Sequence, residues 1–495
     1  MDANDIYREQ LKAIGNVCPE LIEPIINEVI RNREYVDLIA SENYPSLATQ
    51  YACSLPCFNT KYAEGSPFRK DAKGNHIVGT GRYYGGCENI DKVEEIANKY
   101  AMRAFGAEHA YSQPHSGADA NLIAYSAILN RKITEPYLKE KGVKTADALS
   151  NEDYNELRSL WLNQTLLSMD LSSGGHLTHG SRQNLSSKIF NIKHYPLGNY
   201  GEIDYNIVLN CARHYKPLIL LAGYSACTEA INFAMMKDIA DEVGAVLMAD
   251  MAHFAGLVAG GVLTGPYNPI PYADIVTTTT HKTLRGPRGG LILCKKDWGS
   301  YIDKGCPNVI GGPLENQIAA KAVAFKEACS DEFKTYAHSV VKNAKRLESK
   351  LKEYGVPVFG MGTNNHMILI DVRKYDITGR QAENILKDVH ITCNRNSLPN
   401  LDIKVDIDNP WECKDRSDPN GAWKTSGIRI GTPAITTLGM GEPEMDILAA
   451  VIASALESAT IEDDNMRESR QQNNKEIIEN LLKRFPLYPE IMKEA

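Results

Sequence analysis

The sequence has no CxxC pair. Its 11 cysteines, an odd number scattered over 495 residues, fit neither a zinc ribbon nor a secreted disulfide framework, and no metal site is expected. No apolar run is long enough to cross a bilayer. The first residues, MDANDIYREQ, lack the basic and apolar regions of a signal peptide. There is no excess of positive charge either. The formal net charge of −8 argues against a nucleic-acid partner held by counterion release, although it allows a local basic patch around an anionic ligand. No internal repeat is present. These absences lead to the expectation of a reduced, cytoplasmic, soluble protein with no nucleic-acid and no membrane partner.

What is present is the composition of a globular protein, 43% hydrophobic and 23% charged, long enough for two or more domains. Residues 16–34 read as one amphipathic helix with Leu21, Ile22, Ile25, Ile26, Val29 and Ile30 on its apolar stripe, an arm that would pack on a partner or on the main body. Between about 88 and 300, helical stretches alternate with short apolar runs at 218–222, 245–249 and 291–293. Uninterrupted apolar strands separated by helices predict an α/β fold with a mostly parallel sheet covered on both faces. Beyond Pro313 the texture changes. A long helix over about 333–354 carries Val340, Val341, Ala344, Leu347 and Leu351, stops at Gly355, and precedes a strand at 366–371, an order that fits a smaller α+β domain. The polar stretch 460–475 is expected to be an exposed connector to a last helix. The polar, glycine-bearing 66–81 reads as an inserted loop, the charged 131–163 as a surface insertion, and 400–422 as irregular chain.

The chemistry gathers at strand ends. The β-branched run Thr277-Thr278-Thr279-Thr280 ends on His281-Lys282, so a strand delivers Lys282 to the turn before Arg285-Gly286-Pro287. That is where open α/β sheets bind ligands. A lone lysine there is usually a solvated charge; shielded from water, it can form a Schiff base. Asp250 follows another apolar strand, with His253 three residues on. A buried carboxylate needs a partner, and a protonated ring nitrogen would serve, as would a role in capping the next helix. Ser116 and Gly117 join a short strand to a helix, where free N–H groups and the positive dipole end would face a phosphate, or where serine is simply a good N-cap. His176 lies in the glycine-rich loop 174–180, Ser225 stands at a further strand end, and Arg429 sits within an apolar stretch, where its fork matches a carboxylate. Phosphate cradle, acid, lysine and arginine together point to pyridoxal 5′-phosphate acting on an amino acid.

Across nearly its whole length the sequence resembles serine hydroxymethyltransferase. The matching stretches are Leu38-Ile39-Ala40-Ser41-Glu42-Asn43, Lys61-Tyr62-Ala63-Glu64-Gly65, Arg82-Tyr83-Tyr84-Gly85-Gly86-Cys87-Glu88, His115-Ser116-Gly117, the 174–180 loop, 250–253, 277–282 and 425–434. The resemblance implies a fold-type I pyridoxal phosphate enzyme with a mostly parallel seven-stranded sheet. It divides the chain into an arm at 1–44, a large domain at 45–312 and a small C-terminal domain at 313–495. The enzyme would be a homodimer or homotetramer with sites shared across the interface. It would interconvert L-serine and tetrahydrofolate with glycine and 5,10-methylenetetrahydrofolate, with side aldolase activity on 3-hydroxy amino acids.

Carried over, Lys282 is the Schiff-base lysine, Asp250 the pyridine partner and His176 the group stacked on the ring. Ser225 and His253 would contact the ring's phenolic oxygen, and Ser116 and Gly117 would hold the phosphate, with Gly312 and Tyr62 also at the cofactor. Arg429 and Ser41 would bind the substrate carboxylate. Glu64 is the expected acid–base group, in a partly desolvated setting, with Tyr83, Tyr84 and His281 also at the catalytic centre. Leu171, Gly175, His176, Leu177 and Asn396 fall where the folate is expected.

The sequence departs from the resemblance in several places. The 66–81 insert separates the Glu64 and Tyr83-Tyr84 motifs, and 307–312 keeps only Gly311 and Gly312 of a more glycine-rich loop. The segment 400–421 is long, and Trp423 stands where phenylalanine is usual. Another enzyme of the same fold, such as a threonine-type aldolase or an aminotransferase, and a non-catalytic binding protein remain as competing readings.

Overall fold

The apolar runs become strands because their side chains are covered on both faces. In this computed structural model, which describes residues 2–66, 68–70, 76–78 and 81–491, every residue of β4 (Ile219–Gly223), β5 (Val246–Asp250), β6 (Ile275–Thr279) and β7 (Gly290–Cys294) is buried. With β1 (His109–Tyr111), β2 (Thr165–Met169) and β3 (Asn191–Tyr195) they form a seven-stranded sheet in the order β1-β7-β6-β5-β4-β2-β3. Only β7 runs antiparallel to its neighbours. The C-terminal ends of the other six therefore share one edge. Ile123, Ile128, Leu166, Ile219, Met248 and Ile292 belong to the core packed on this sheet.

The chain folds into two compact units. The first holds residues 43–338 and 398–418 and contains the large sheet. The second holds 2–42, 339–397 and 419–491 of the described residues. This division differs from boundaries at 44 and 312. The N-terminal segment belongs to the second unit, while residues 313–338 and 398–418 belong to the first. Within the second unit, β8 (Met367–Asp371), β9 (Asn394–Asn396) and β10 (Gly427–Gly431) form an antiparallel sheet in the order β8-β10-β9. Val36, Leu38, Leu347, Leu351, Ile368, Ile430 and Leu448 lie in its core.

Three helices of the first unit position the site: α1 (Glu88–Phe105), α2 (Gly117–Leu129) and α3 (Glu315–Glu327). Helix α4 (Asp331–Glu353) carries the predicted stripe, and Val340, Ala344, Leu347 and Leu351 on it are fully buried. The N-terminal helical reading needs correction. Asn16–Cys18 break the chain between one helix at Ala3–Gly15 and another at Ile22–Glu34, and none of the predicted stripe is buried within this chain. The expected connector at 460–475 is also mostly helix, α5 (Asp464–Leu482), capped by the Asp463 side chain on Met466 N. Of its few apolar residues, Ile478, Leu481 and Leu482 are buried near its end while Met466 and Ile477 are exposed, and that late anchoring gave the sequence its connector-like texture.

The 66–81 insert is not loop throughout. Phe68–Lys70 pairs antiparallel with His76–Val78; residues 67, 71–75 and 79–80 lie outside the described residues. At its base Gly65 bridges Arg82, so the two flanking motifs meet in space despite their separation in sequence. Among the described residues, no helix is long and apolar enough to cross a membrane.

Candidate active site

Asp250 closes β5 and is 7% exposed. Its Oδ2 accepts from His179 Nε2 at 2.9 Å and from Asn121 Nδ2 at 2.9 Å, and its Oδ1 accepts from Ala252 N at 3.1 Å. The backbone N–H of His176 donates to His179 Nδ1, which leaves the imidazole proton on Nε2, facing the carboxylate. Asn121 is oriented in turn. Its Oδ1 accepts from Thr277 Oγ1 at 2.6 Å, and its Nδ2 also donates to Thr178 Oγ1. Burial opposes the charge on Asp250, but His179, His176 and Asn121 outweigh it and hold the carboxyl well below the usual range. A carboxylate that stays ionised at a strand end can keep a ring nitrogen protonated. His179 and Asn121 escaped the sequence reading; His179 stood in view as the second histidine of the glycine loop.

Lys282 lies three residues beyond β6, at the same sheet edge, and is 9% exposed. Its carbonyl accepts from Asn43 Nδ2 at 2.9 Å. Next to it, Arg288 Nη1 donates to His281 Nε2 at 3.3 Å, which leaves the proton on Nδ1. That Nδ1 is buried with no hydrogen-bond partner among the described residues. Burial, then Lys282 and Arg288, push the His281 pKa down to about 3, so the ring is neutral at physiological pH.

The Ser116–Gly117 turn opens α2. Ser116 Oγ accepts from Asp119 N at 3.2 Å, and the first intrahelical bond runs from Ala120 N to Ser116 O, so the N–H groups of Gly117 and Ala118 precede the helical ladder. Glycine is required at 117 because a Cβ there would stand 2.7 Å from Thr279 Cγ2. His115 Nε2 donates to Gly312 O at 3.2 Å.

On another side, Ser225 N and Ala226 N both donate to Gly174 O. A Cβ on Gly174 would lie 2.3 Å from Ala226 O, and one on Gly175 would lie 2.4 Å from Met169 O. His176 is fixed through Nδ1, which accepts from Thr178 N and meets Thr178 Oγ1 at 2.8 Å. His253 is buried, and its carbonyl accepts from Thr283 Oγ1, one residue after Lys282. Leu171 and Leu177, by contrast, are exposed.

Glu64 is half-buried on a braced turn. Arg82 Nη1 donates to the carbonyls of Ala63 and Gly65, both at 2.6 Å, while its Nε meets Asp91 Oδ1 at 2.9 Å and its Nη2 meets Glu94 Oε1 at 2.6 Å. Gln113 Nε2 links Glu94 Oε2 at 2.9 Å to Gly65 O at 3.0 Å. Tyr62 and Tyr84 meet edge-on at 4.8 Å and, with Tyr83, are exposed; a Cβ on Gly312 would strike the Tyr62 ring.

In the second unit Arg429 lies mid-strand in β10 and is 6% exposed. Its Nε donates to Asn394 Oδ1 at 3.0 Å and its Nη2 reaches Ser41 Oγ at 3.5 Å. Burial lowers its pKa to about 10, which leaves it cationic at neutral pH. Asn396, on β9, donates through Nδ2 to Ser397 O. Trp423 is exposed, with the Arg395 guanidinium 5.3 Å from its ring centroid.

The family model described as serine hydroxymethyltransferase matches residues 14–135 and 154–452. The chain belongs to the serine hydroxymethyltransferase family. It is 49% identical over 98% of its length to a serine hydroxymethyltransferase of Treponema pallidum, covering 81% of that protein. Similar proteins of the same name occur in Cutibacterium acnes (46%, over 98% of the chain and 95% of the relative) and Chlamydia abortus (44%, over 100% and 96%). The seven-stranded sheet is the fold-type I sheet of the serine hydroxymethyltransferases, which are pyridoxal phosphate-dependent one-carbon transferases. The gap in the family match, 136–153, falls inside the charged surface segment read as an insertion.

Proposed function

We propose that this protein interconverts L-serine and tetrahydrofolate with glycine and 5,10-methylenetetrahydrofolate, using pyridoxal 5′-phosphate held by Lys282. The observation that carries this reading is the pairing, at one sheet edge, of a locked Asp250–His179–Asn121 carboxylate with Lys282 at the next strand's end. The residues fit the cofactor. The buried His281 Nδ1 is a donor in need of an acceptor, the open N–H groups of Gly117 and Ala118 suit a phosphate, and glycines at 117 and 174 leave room where a Cβ would collide.

When bound, the cofactor withdraws electrons from the substrate's Cα so that a bond to it can break. Asp250 would hold the proton on the ring nitrogen, and His176 would lie at the ring. Ser225 and His253 would serve the phenolic oxygen, while Ser116, Gly117 and His281 would serve the phosphate end. Arg429 and Ser41 orient the substrate carboxylate. Glu64 moves a proton at the hydroxymethyl carbon, and the bracing of its turn by Arg82 and Gln113 keeps it in register. Leu171, Gly175, Leu177 and Asn396 serve the folate, for which the exposed leucines offer apolar contact. Tyr62, Tyr83, Tyr84 and Gly312 complete the site, in a homodimer or homotetramer, in the cytoplasm. Aldol cleavage of other 3-hydroxy amino acids is a side activity of the same groups.

Serine turnover by the holoenzyme with and without tetrahydrofolate tests this. We expect strong dependence on the folate, and Glu64→Gln should remove that dependence while cofactor absorbance stays intact. Equal rates with and without folate in the wild type would replace the transferase with an aldolase.

A further inference from the structure

Beneath the Ser112–Gly117 turn lies a lysine that none of these roles uses. Lys321, on α3, is 1% exposed. Its ammonium donates to three backbone carbonyls: Ser112 O at 2.7 Å, Pro114 O at 2.8 Å and Gly290 O at 3.0 Å. An ammonium carries three protons, and all of them are used. Gly290 N donates to Pro114 O at 3.0 Å, so the start of β7 is fastened to the chain leaving β1. The space is equally committed. A Cβ on Gly289 would stand 2.3 Å from Lys321 Cε, and one on Gly290 would stand 2.2 Å from Ser116 O. Burial pushes the lysine's pKa down to about 7, while Glu94 and Asp119 oppose that shift. Only the protonated amine can make all three bonds.

We propose that Lys321 is a positioning residue for the phosphate group of the cofactor, gathering three carbonyls so that the turn carrying Ser116 and Gly117 is fixed before the anion arrives. The proposal rests on the assignment of that turn to the phosphate. A lysine that only supported the fold would weaken every ligand alike. One that acts through the turn affects only ligands bearing a phosphate.

The test compares the affinities of apoenzyme for pyridoxal 5′-phosphate and for pyridoxal, in wild type and in Lys321→Met. We expect the phosphorylated ligand to lose roughly tenfold in affinity, the scale of one charge-assisted hydrogen bond, with pyridoxal unchanged. An equal loss for both ligands, or no loss for either, overturns the proposal. If the wild type itself shows no preference for the phosphorylated ligand, the assignment of the turn fails instead, and the wild-type arm reveals that alone. Should Lys321→Met not fold, Gly289→Ala crowds Cε while leaving the charge in place. It is expected to lower the same affinity ratio, and an unchanged ratio in that variant overturns the proposal.

Discussion

At the scale of single residues, charge is kept in the buried site by partners whose own orientation is fixed. Asp250 would protonate or draw in water if His179 and Asn121 did not surround it. Asp250→Asn keeps the shape and removes the charge. Serine turnover should fall by about 100-fold, the scale of losing one preorganised electrostatic contact, in a steady-state assay of the cofactor-loaded enzyme. Arg429→Lys retains a charge but not the fork. It should raise the KM for serine by roughly tenfold or more, with a smaller effect on kcat. Asp250, Lys282 and Arg429 were legible in the sequence because each interrupts or ends an apolar or β-branched run. His179 was only half legible, since nothing in the spacing of the glycine loop says which histidine faces the acid. Asn121 was hidden inside a helix, where an amide normally looks like solvated surface.

At the scale of elements, α3 is the helix whose sequence misleads most. The texture change at Pro313 looked like a domain boundary, and Glu315 and Lys321 follow it. Both residues are buried, and the helix packs with α1 inside the first unit. Periodicity cannot reveal this, because the burial comes from tertiary neighbours far along the chain. The Glu315 carboxyl faces that of Glu94, so one of the pair must carry a proton. Glu94 and Asp91 of α1 and Arg82 from the adjoining loop act on it, with Lys321 on its own helix. Burial first, then Glu94, push its pKa up to about 10, so the folded protein holds a proton there that the unfolded chain releases above about 4.5. The folded state therefore binds more protons between those values, and stability is lost as pH rises toward 10, by at most about 1.4 kcal/mol per pH unit. Glu315→Gln mimics the protonated acid and removes that loss. Its stability advantage in urea unfolding should grow from pH 6 to pH 9; an advantage that stayed flat over that range would mean the wild-type acid is ionised.

At the scale of the molecule, the α/β sheet was legible from its apolar runs, and the strand ends carry Asp250 and Lys282 at one sheet edge. The insert at 66–81 shows why separation in sequence misleads. The bridge between Gly65 and Arg82 brings together the two motifs that this segment parts in sequence. The exposed Tyr62, Tyr83 and Tyr84 beside a half-buried Glu64 fit a surface completed by another copy. Sedimentation of the holoenzyme should give a dimer or tetramer, and Tyr83→Ala should lower activity more than it lowers thermal stability.

The chain's division into units that each draw on separated stretches governs how it must be made. The first unit recruits 398–418, and the second joins the opening helices to segments near the far end. A ribosome, releasing the polypeptide from its first residue onward, cannot finish either body early. The opening helices emerge long before the rest of their unit is translated and stay without it for most of synthesis. The order of the segments therefore makes completion of both units a late event in synthesis.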